Sequence, residues 1–259
     1  MYSSAGGPQG PSPSGKGVTQ MAYHMILDTE TCDRYARKTN QPEPWNSLVY
    51  DLGFCVVDMA TGETVERKSI VIAETFNNSR LMNSAYYADK LPQYRAGISM
   101  DEGGEWQMLD CLTAYNLVRD TIRKYGIRKV WAYNAKFDQQ ALNSTVRTYS
   151  NGFCGFWFPY SVKVCDIWDY ATCITATKSY VRWAVNHGYV SAKGNPQTSA
   201  ERVYQFISSD AGFSERHTAL SDAEIETAIL LAARRKHKKT SHTVGCGWRG
   251  AAKVARDLN

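Results

Sequence analysis

Five short apolar runs, interleaved with helical repeats in one fixed order, leave few folds open to this chain. Tyr23-His24-Met25-Ile26-Leu27 ends at Asp28 and reads as a buried strand. Leu48 to Asp58 is a second strand, and Thr64 to Ile72 alternates and returns across the turn Ala60-Thr61-Gly62-Glu63, which predicts a hairpin. Met108, Cys111, Tyr115, Val118 and Ile122 then recur at helical spacing, with Gly126 as a stop. Lys129 to Tyr133 is a fourth strand followed by a helix from about Lys136, and Val162 to Ile167 is a fifth. Val203, Phe206 and Ile207 mark a further helix. The last helix begins near Ser221, with Ile225, Ala228, Ile229 and Ala232 on one face. The order β-β-β-α-β-α-β-α-α predicts an α/β domain. Its mixed five-stranded sheet is antiparallel over the first three strands, parallel later, and flanked by helices.

The 259 residues suit one large domain or two small ones. Residues 1–20 are rich in Gly, Pro and Ser without apolar periodicity, so they are expected to be a disordered leader. The folded domain is expected over 21–235 and a basic tail over 236–259. Residues 234 to 259 hold eight basic side chains against one acid, in a chain whose net charge is only +5. That asymmetry suits a polyanionic partner, and equally a solvated arm. No apolar run approaches the ~18 residues of a membrane span, and the N-terminus lacks a secretory apolar stretch. Seven cysteines without a Cys-x-x-Cys pair exclude a disulfide framework or a four-thiolate zinc site and suit reduced thiols in the cytoplasm.

Three acidic segments carry the chemistry: Asp28-Thr29-Glu30, Asn134-Ala135-Lys136-Phe137-Asp138, and His217-Thr218-Ala219-Leu220-Ser221-Asp222. Their convergence requires a single domain. Asp28 and Glu30, two apart at a strand end, point to the same face and can reach one cation. Asp138 falls at or inside the first turn of a helix. Asp222 opens the last helix, where Ser221 and Glu224 fit capping-box spacing with Ser221 as N-cap. Each element alone has an ordinary explanation, such as a solvated strand end or an acid favoured by the helix dipole. Four carboxylates together suit Mg²⁺ or Mn²⁺, which prefer oxygen ligands, and a pair of such ions acting on a phosphodiester.

In combination, order and spacing these motifs resemble the DEDDh branch of the DnaQ-like 3′–5′ exonucleases, within the ribonuclease H-like superfamily. The Asp-x-Glu of Leu27–Thr31, the Asp four residues after Asn134, and the His-x-Ala-x-x-Asp-Ala of His217–Ala223 match its three motifs. The resemblance spans about Ala22 to Arg235 and implies a ribonuclease H-like sheet. It implies that Asp28 is shared by two metals, that Glu30 and Asp222 complete the coordination of the first metal, and that Asp138 holds the second, directly or through water. It implies His217 as general base, taking a proton from the attacking water; an imidazole with an unperturbed pKa of about 6.5 suits that task. Thr29, Thr31 and Asn134 are expected to line the terminal nucleotide's pocket.

The implied substrate is a 3′ end of single-stranded DNA or RNA, in DNA replication, repair or proofreading or in RNA trimming. A polymerase or another replication protein is an expected partner, and oligomeric state is not encoded. The compact domain also resembles small exonucleases of bacterial viruses, which would place it in a host cytoplasm. Two other readings stand beside this one: a nucleic-acid-binding accessory factor with an idle site, and a phosphodiesterase acting internally. Two segments depart from the simplest family members. The aromatic cluster Phe153, Phe156, Trp157, Phe158 and Tyr160 suits core packing, or stacking of single-stranded bases. Thr75 to Gly104 suits a lid or a partner surface.

Overall fold

A computed structural model describes residues 22–37, 43–99, 105–236 and 248–258. The expected leader, the acids Asp101 and Glu102, and residues 237–247 of the basic tail lie outside them.

Strand β1 (Tyr23–Asp33) runs antiparallel to β2 (Ser47–Asp58) along its whole length, and β2 pairs in the same sense with β3 (Thr64–Ile72). On the other side β1 runs parallel to β6 (Lys129–Ala132), which runs parallel to β7 (Lys163–Asp166). These are the five expected strands. Two short ones, β4 (Ile98–Ser99) and β5 (Trp106–Leu109), extend the β3 edge in parallel, so the sheet has seven strands in the order β4-β5-β3-β2-β1-β6-β7. The five-stranded expectation is corrected here. Strands of two and four residues are too short to carry a period, and Met108, which the helical pattern had absorbed, belongs to β5.

Alternation along β1 and β2 sends side chains to two helical layers. Met25, Leu27, Leu52, Phe54 and Val56 pack with helices α1 (Cys111–Tyr125) and α2 (Ala135–Tyr149). Ile26, Cys55, Val57 and Trp131 pack with α3 (Lys178–Asn186), α4 (Ala200–Ser208) and α5 (Ala219–Lys236). α1 starts on Asp110, whose side chain accepts from Thr113 N, and ends on Gly126, left-handed at φ 60°.

Two other expectations change. β1 does not stop at Asp28 but continues to Asp33, because Thr29, Thr31 and Cys32 keep it strand-forming and β2 pairs with it throughout. β6 pairs only with Met25 and Ile26, so from Asp28 onward β1 has no strand partner on that side, and its far end is met instead by the 84–86 segment, where Thr31 O accepts from Tyr86 N and Asp33 N donates to Ser84 Oγ. Ser221 is not an N-cap. α5 begins two residues earlier, Asp222 N already bonds Thr218 O, and the buried Asp51 carboxylate takes the Ala219 N–H at 2.9 Å where a local cap would otherwise serve.

Thr75 to Gly104 is built into the fold over its described part. Phe76, Leu81, Met82, Ala85 and Tyr94 form a third apolar cluster with Leu48, Tyr50, Val71 and Trp106. The aromatic cluster divides: Trp157 and Phe158 are core, whereas Phe153, Phe156 and Tyr160 are exposed. They precede β7, at the end of the sheet opposite the acidic segments. Part of the basic tail is a docked helix, α6 (Trp248–Arg256), whose Ala251 and Ala255 pack on Val181 of α3. No described helix is long and apolar enough to cross a membrane.

Candidate active site

The carboxylates of Asp28, Glu30 and Asp222 each present a ligand atom within 4.8 Å of the others. Two come from one face of β1, as i and i+2 must. The third arrives on α5, nearly two hundred residues later, and β2 explains how. Gly53 lies opposite Asp28 and Asp51 opposite Glu30. A methyl group on Gly53 would stand 2.0 Å from Leu220 N and 2.2 Å from the Ala219 carbonyl carbon, so α5 starts directly on the glycine. Asp51 Oδ2 fixes that start by accepting from Ala219 N at 2.9 Å and from the Tyr94 hydroxyl at 2.6 Å.

Asp138 sits in the first turn of α2, after Asn134 has turned the chain from β6 in the left-handed region (φ 65°). Its Oδ1 accepts the Thr29 hydroxyl at 2.8 Å, which ties it to the residue between Asp28 and Glu30. Asp166, at the end of the parallel neighbour β7, accepts from Asn134 N at 3.2 Å and Trp168 N at 2.8 Å. Glu226, one helical turn after Asp222, accepts from Tyr133 N at 3.1 Å. Carboxylates thus meet at the carboxyl ends of parallel strands, where open α/β sheets place their ligands.

Burial, then mutual repulsion, pushes the carboxyl groups of Asp28, Glu30 and Glu226 well above the ordinary range. Among the charges acting on Asp28, that of Asp138 is the largest. Burial raises Asp138 to about 7 against the opposing hydrogen bond from Thr29, and burial with the charge of Glu215 raises Asp222 to about 8. Among the described residues no lysine or arginine forms an ion pair with Asp28, Glu30, Asp138 or Asp222. Buried oxygens without a hydrogen-bond partner, Asp222 Oδ1 and Asp51 Oδ1, lie in the same region. Clustered buried carboxylates of this kind are neutralised either by protons or by a cation, and an all-oxygen donor set fits a hard divalent ion.

His217 adopts a left-handed backbone (φ 54°) ahead of α5, with Nδ1 3.8 Å from a Glu215 carboxylate oxygen. Glu215, His217 and Asp222 form a second group whose ligand atoms lie within 4.8 Å. The imidazole stacks on Tyr87, centroids 4.2 Å apart and planes 11° apart. Burial and then the charge of Lys90 lower its pKa, which keeps the ring neutral near pH 7.

Of the eight residues singled out in the sequence, Asp28, Glu30 and Asp222 meet most closely, Asp138 joins through Thr29, and His217 joins through Asp222. Thr29 and Thr31 are buried, and the Thr29 hydroxyl is committed to Asp138. Asn134 lines a separate cavity with Tyr133 and Trp168. Sequence reasoning missed Asp51, Gly53, Asp166, Glu215 and Glu226. Only Glu226 had a local signal, the i, i+4 spacing from Asp222.

No protein-family model matches the chain, and no curated protein does. Solved structures do. E. coli exonuclease I in complex with a 5cy-dT13 oligonucleotide superposes with a TM-score of 0.53 at 12% identity, over 84% of this chain and 41% of that one. The chain therefore spans about two fifths of exonuclease I. A 3′-exonuclease recognising the histone mRNA stem-loop gives 0.52 at 8% identity, with 88% of each chain covered. The nuclease domain of 3′hExo, a DEDDh family member bound to rAMP, gives 0.51 at 11% identity, over 86% of this chain and 96% of that one. At these identities the likeness is one of fold, and it agrees with the resemblance read from the three motifs: this chain has the ribonuclease H-like fold of the DEDDh exonucleases.

Proposed function

We propose that the chain is a metal-dependent 3′–5′ exonuclease that removes nucleoside monophosphates from single-stranded 3′ ends. The observation that carries this reading is the meeting of Asp28, Glu30 and Asp222 within 4.8 Å, on the fold that exonuclease I and 3′hExo share. Asp28, Glu30 and Asp222 would hold one Mg²⁺ or Mn²⁺, and Asp138 with Asp28 a second. When bound, such a pair supplies charge stabilisation for the attacking and leaving oxygens. Asp28 would serve both ions, as the resemblance to the DEDDh exonucleases implies. Thr29 aims Asp138 through its 2.8 Å hydrogen bond. His217, neutral and next to Asp222, accepts the proton of the attacking water. A P–O bond forms, the bond from phosphorus to the O3′ of the shortened strand breaks, and that oxygen takes up a proton.

A 5′-labelled single strand incubated with Mg²⁺ or Mn²⁺ is expected to give a ladder shortening from the 3′ end, abolished by EDTA and by Asp28→Ala or His217→Ala in folded protein. Full activity of either variant would refute the roles. Degradation of a circular single strand would mean internal cleavage, and binding without shortening would mean an accessory factor. DNA and RNA strands tested in parallel decide the sugar. Exonuclease I was solved with 5cy-dT13, and 3′hExo with rAMP, so each has a precedent on this fold. A preference for DNA would place the chain in replication or repair, and a preference for RNA in end trimming.

A further inference from the structure

Behind the acidic cluster lies a cavity of about 530 Å³ lined by Tyr133, Asn134, Trp168, Thr198, Ser199 and Trp248, among others. Three of its lining residues are aromatic and the others are small or polar. Tyr133 and Trp168 are near parallel, with centroids 6.1 Å apart and planes 24° apart. Both rings are held in place: Trp168 Nε1 donates to Thr198 Oγ1 at 2.9 Å, and the Tyr133 hydroxyl donates to Thr198 O. Trp248 is delivered by α6. Gly250 allows that helix to lie against Ala176, where a Cβ would meet the alanine methyl at 2.8 Å, and Ala251 and Ala255 are buried against α3. Trp248 itself stays 43% exposed, with the Arg249 guanidinium 5.8 Å from its ring centroid.

The cavity adjoins the acidic site. Tyr133 N bonds Glu226, Asn134 N bonds Asp166, and Asn134 is followed four residues later by Asp138. Lys193 stands within the 191–199 segment that forms one wall, Lys136 stands two residues after Asn134, and Arg249 stands beside Trp248.

We infer that this cavity is a pocket for one unpaired nucleobase of the strand whose 3′ end occupies the acidic site. Aromatic side chains take bases by stacking, which is indifferent to sequence and unavailable to a base inside a duplex. Exposed polar groups of Asn134 and of the 191–199 segment offer hydrogen bonds to a base edge, and Lys136, Lys193 and Arg249, close in sequence to lining residues, suit the phosphates of a bound strand. The inference rests on the exonuclease reading for its ligand, and it assigns a role in strand capture to Trp168, the 191–199 segment and Trp248, which lie outside the three motifs in sequence.

The test measures binding of a 5′-labelled ten-nucleotide single strand to the full chain in EDTA, by fluorescence anisotropy, so that nothing is cleaved. Trp248→Ala is expected to weaken binding about 5- to 100-fold, as the loss of one base stack implies, and Trp248→Phe to recover most of it. A strand of the same length made entirely of abasic sites should bind wild type and Trp248→Ala alike. Equal affinity of Trp248→Ala and wild type for the normal strand would overturn the pocket, and so would an equal loss on the abasic strand, which would make Trp248 a structural or backbone contact. If wild type shortens the strand with metal but Trp248→Ala binds normally, only the pocket fails. If wild type neither binds nor shortens any strand, the exonuclease reading fails and the pocket with it.

Discussion

Gly53→Ala adds a single methyl group at the point where α5 touches the sheet. Its Cβ would stand 2.0 Å from Leu220 N, whereas ordinary contacts begin at about 3.4 Å, so the helix start must withdraw by about 1.4 Å. Gly53 is not in the left-handed region, so the cost is steric. Two consequences follow. The 2.9 Å bond from Ala219 N to Asp51 breaks, leaving a buried carboxylate with one donor fewer at a cost of about 1–3 kcal/mol. Overpacking adds about 1–3 kcal/mol. Asp222, three residues into the same helix, moves with it relative to Asp28, which pairs with Gly53 itself. A misplacement of about 1 Å at a reacting centre costs about 10²-fold in rate. The variant should therefore melt several degrees lower, bind Mn²⁺ more weakly by calorimetry, and lose about 100-fold in kcat/KM for a single strand at a temperature where circular dichroism reports it folded. Wild-type Mn²⁺ affinity and turnover in Gly53→Ala would refute the argument that close approach of helix and sheet assembles the site.

Thr29→Val removes the hydroxyl that Asp138 accepts at 2.8 Å while preserving the strand; about 1.5–3 kcal/mol of stability and at least tenfold in kcat should be lost, checked by urea melts and single-turnover rates. Unchanged rates would mean that Asp138 is aimed by α2 alone. His24 accepts Trp131 Nε1 at 3.0 Å, and burial, then Lys129 and Arg234, lower its pKa to about 4. The unfolded chain takes up this proton first, so stability present above about pH 6.5 falls as pH drops toward 4, by no more than about 3 kcal/mol for a half-buried ring; His24→Gln should flatten that part of the profile. Asp110→Ala should cost about 1 kcal/mol at pH 7 by removing the cap of α1. The hydrogen bonds from Thr113 lower the Asp110 pKa, so wild type should lose this advantage only as pH falls through that lowered value, and the two proteins should then melt alike.

What the sequence determined by itself is local. The apolar period placed five strands and four of the six helices α1–α6 within a few residues, missing α3 and α6, Gly126 ended α1 as expected, and residue spacing put Asp28 and Glu30 on one face of β1. The motif around His217 and Asp222 was legible because its residues are neighbours on one element. The rest depended on contacts between segments with no sequence relation. Asp51 caps a helix 168 residues away, Gly53 matters only because α5 lands on it, and Tyr87 meets His217 from a segment without helical or strand period. The two edge strands are set by their partners β3 and β5 rather than by their own four or fewer residues. Side-chain periodicity reports which face an element buries, and it carries no information on which backbone will lie against that face. Register and close approach supply that, so the acidic residues that meet were readable from the chain while the devices that bring them together were decided only in three dimensions.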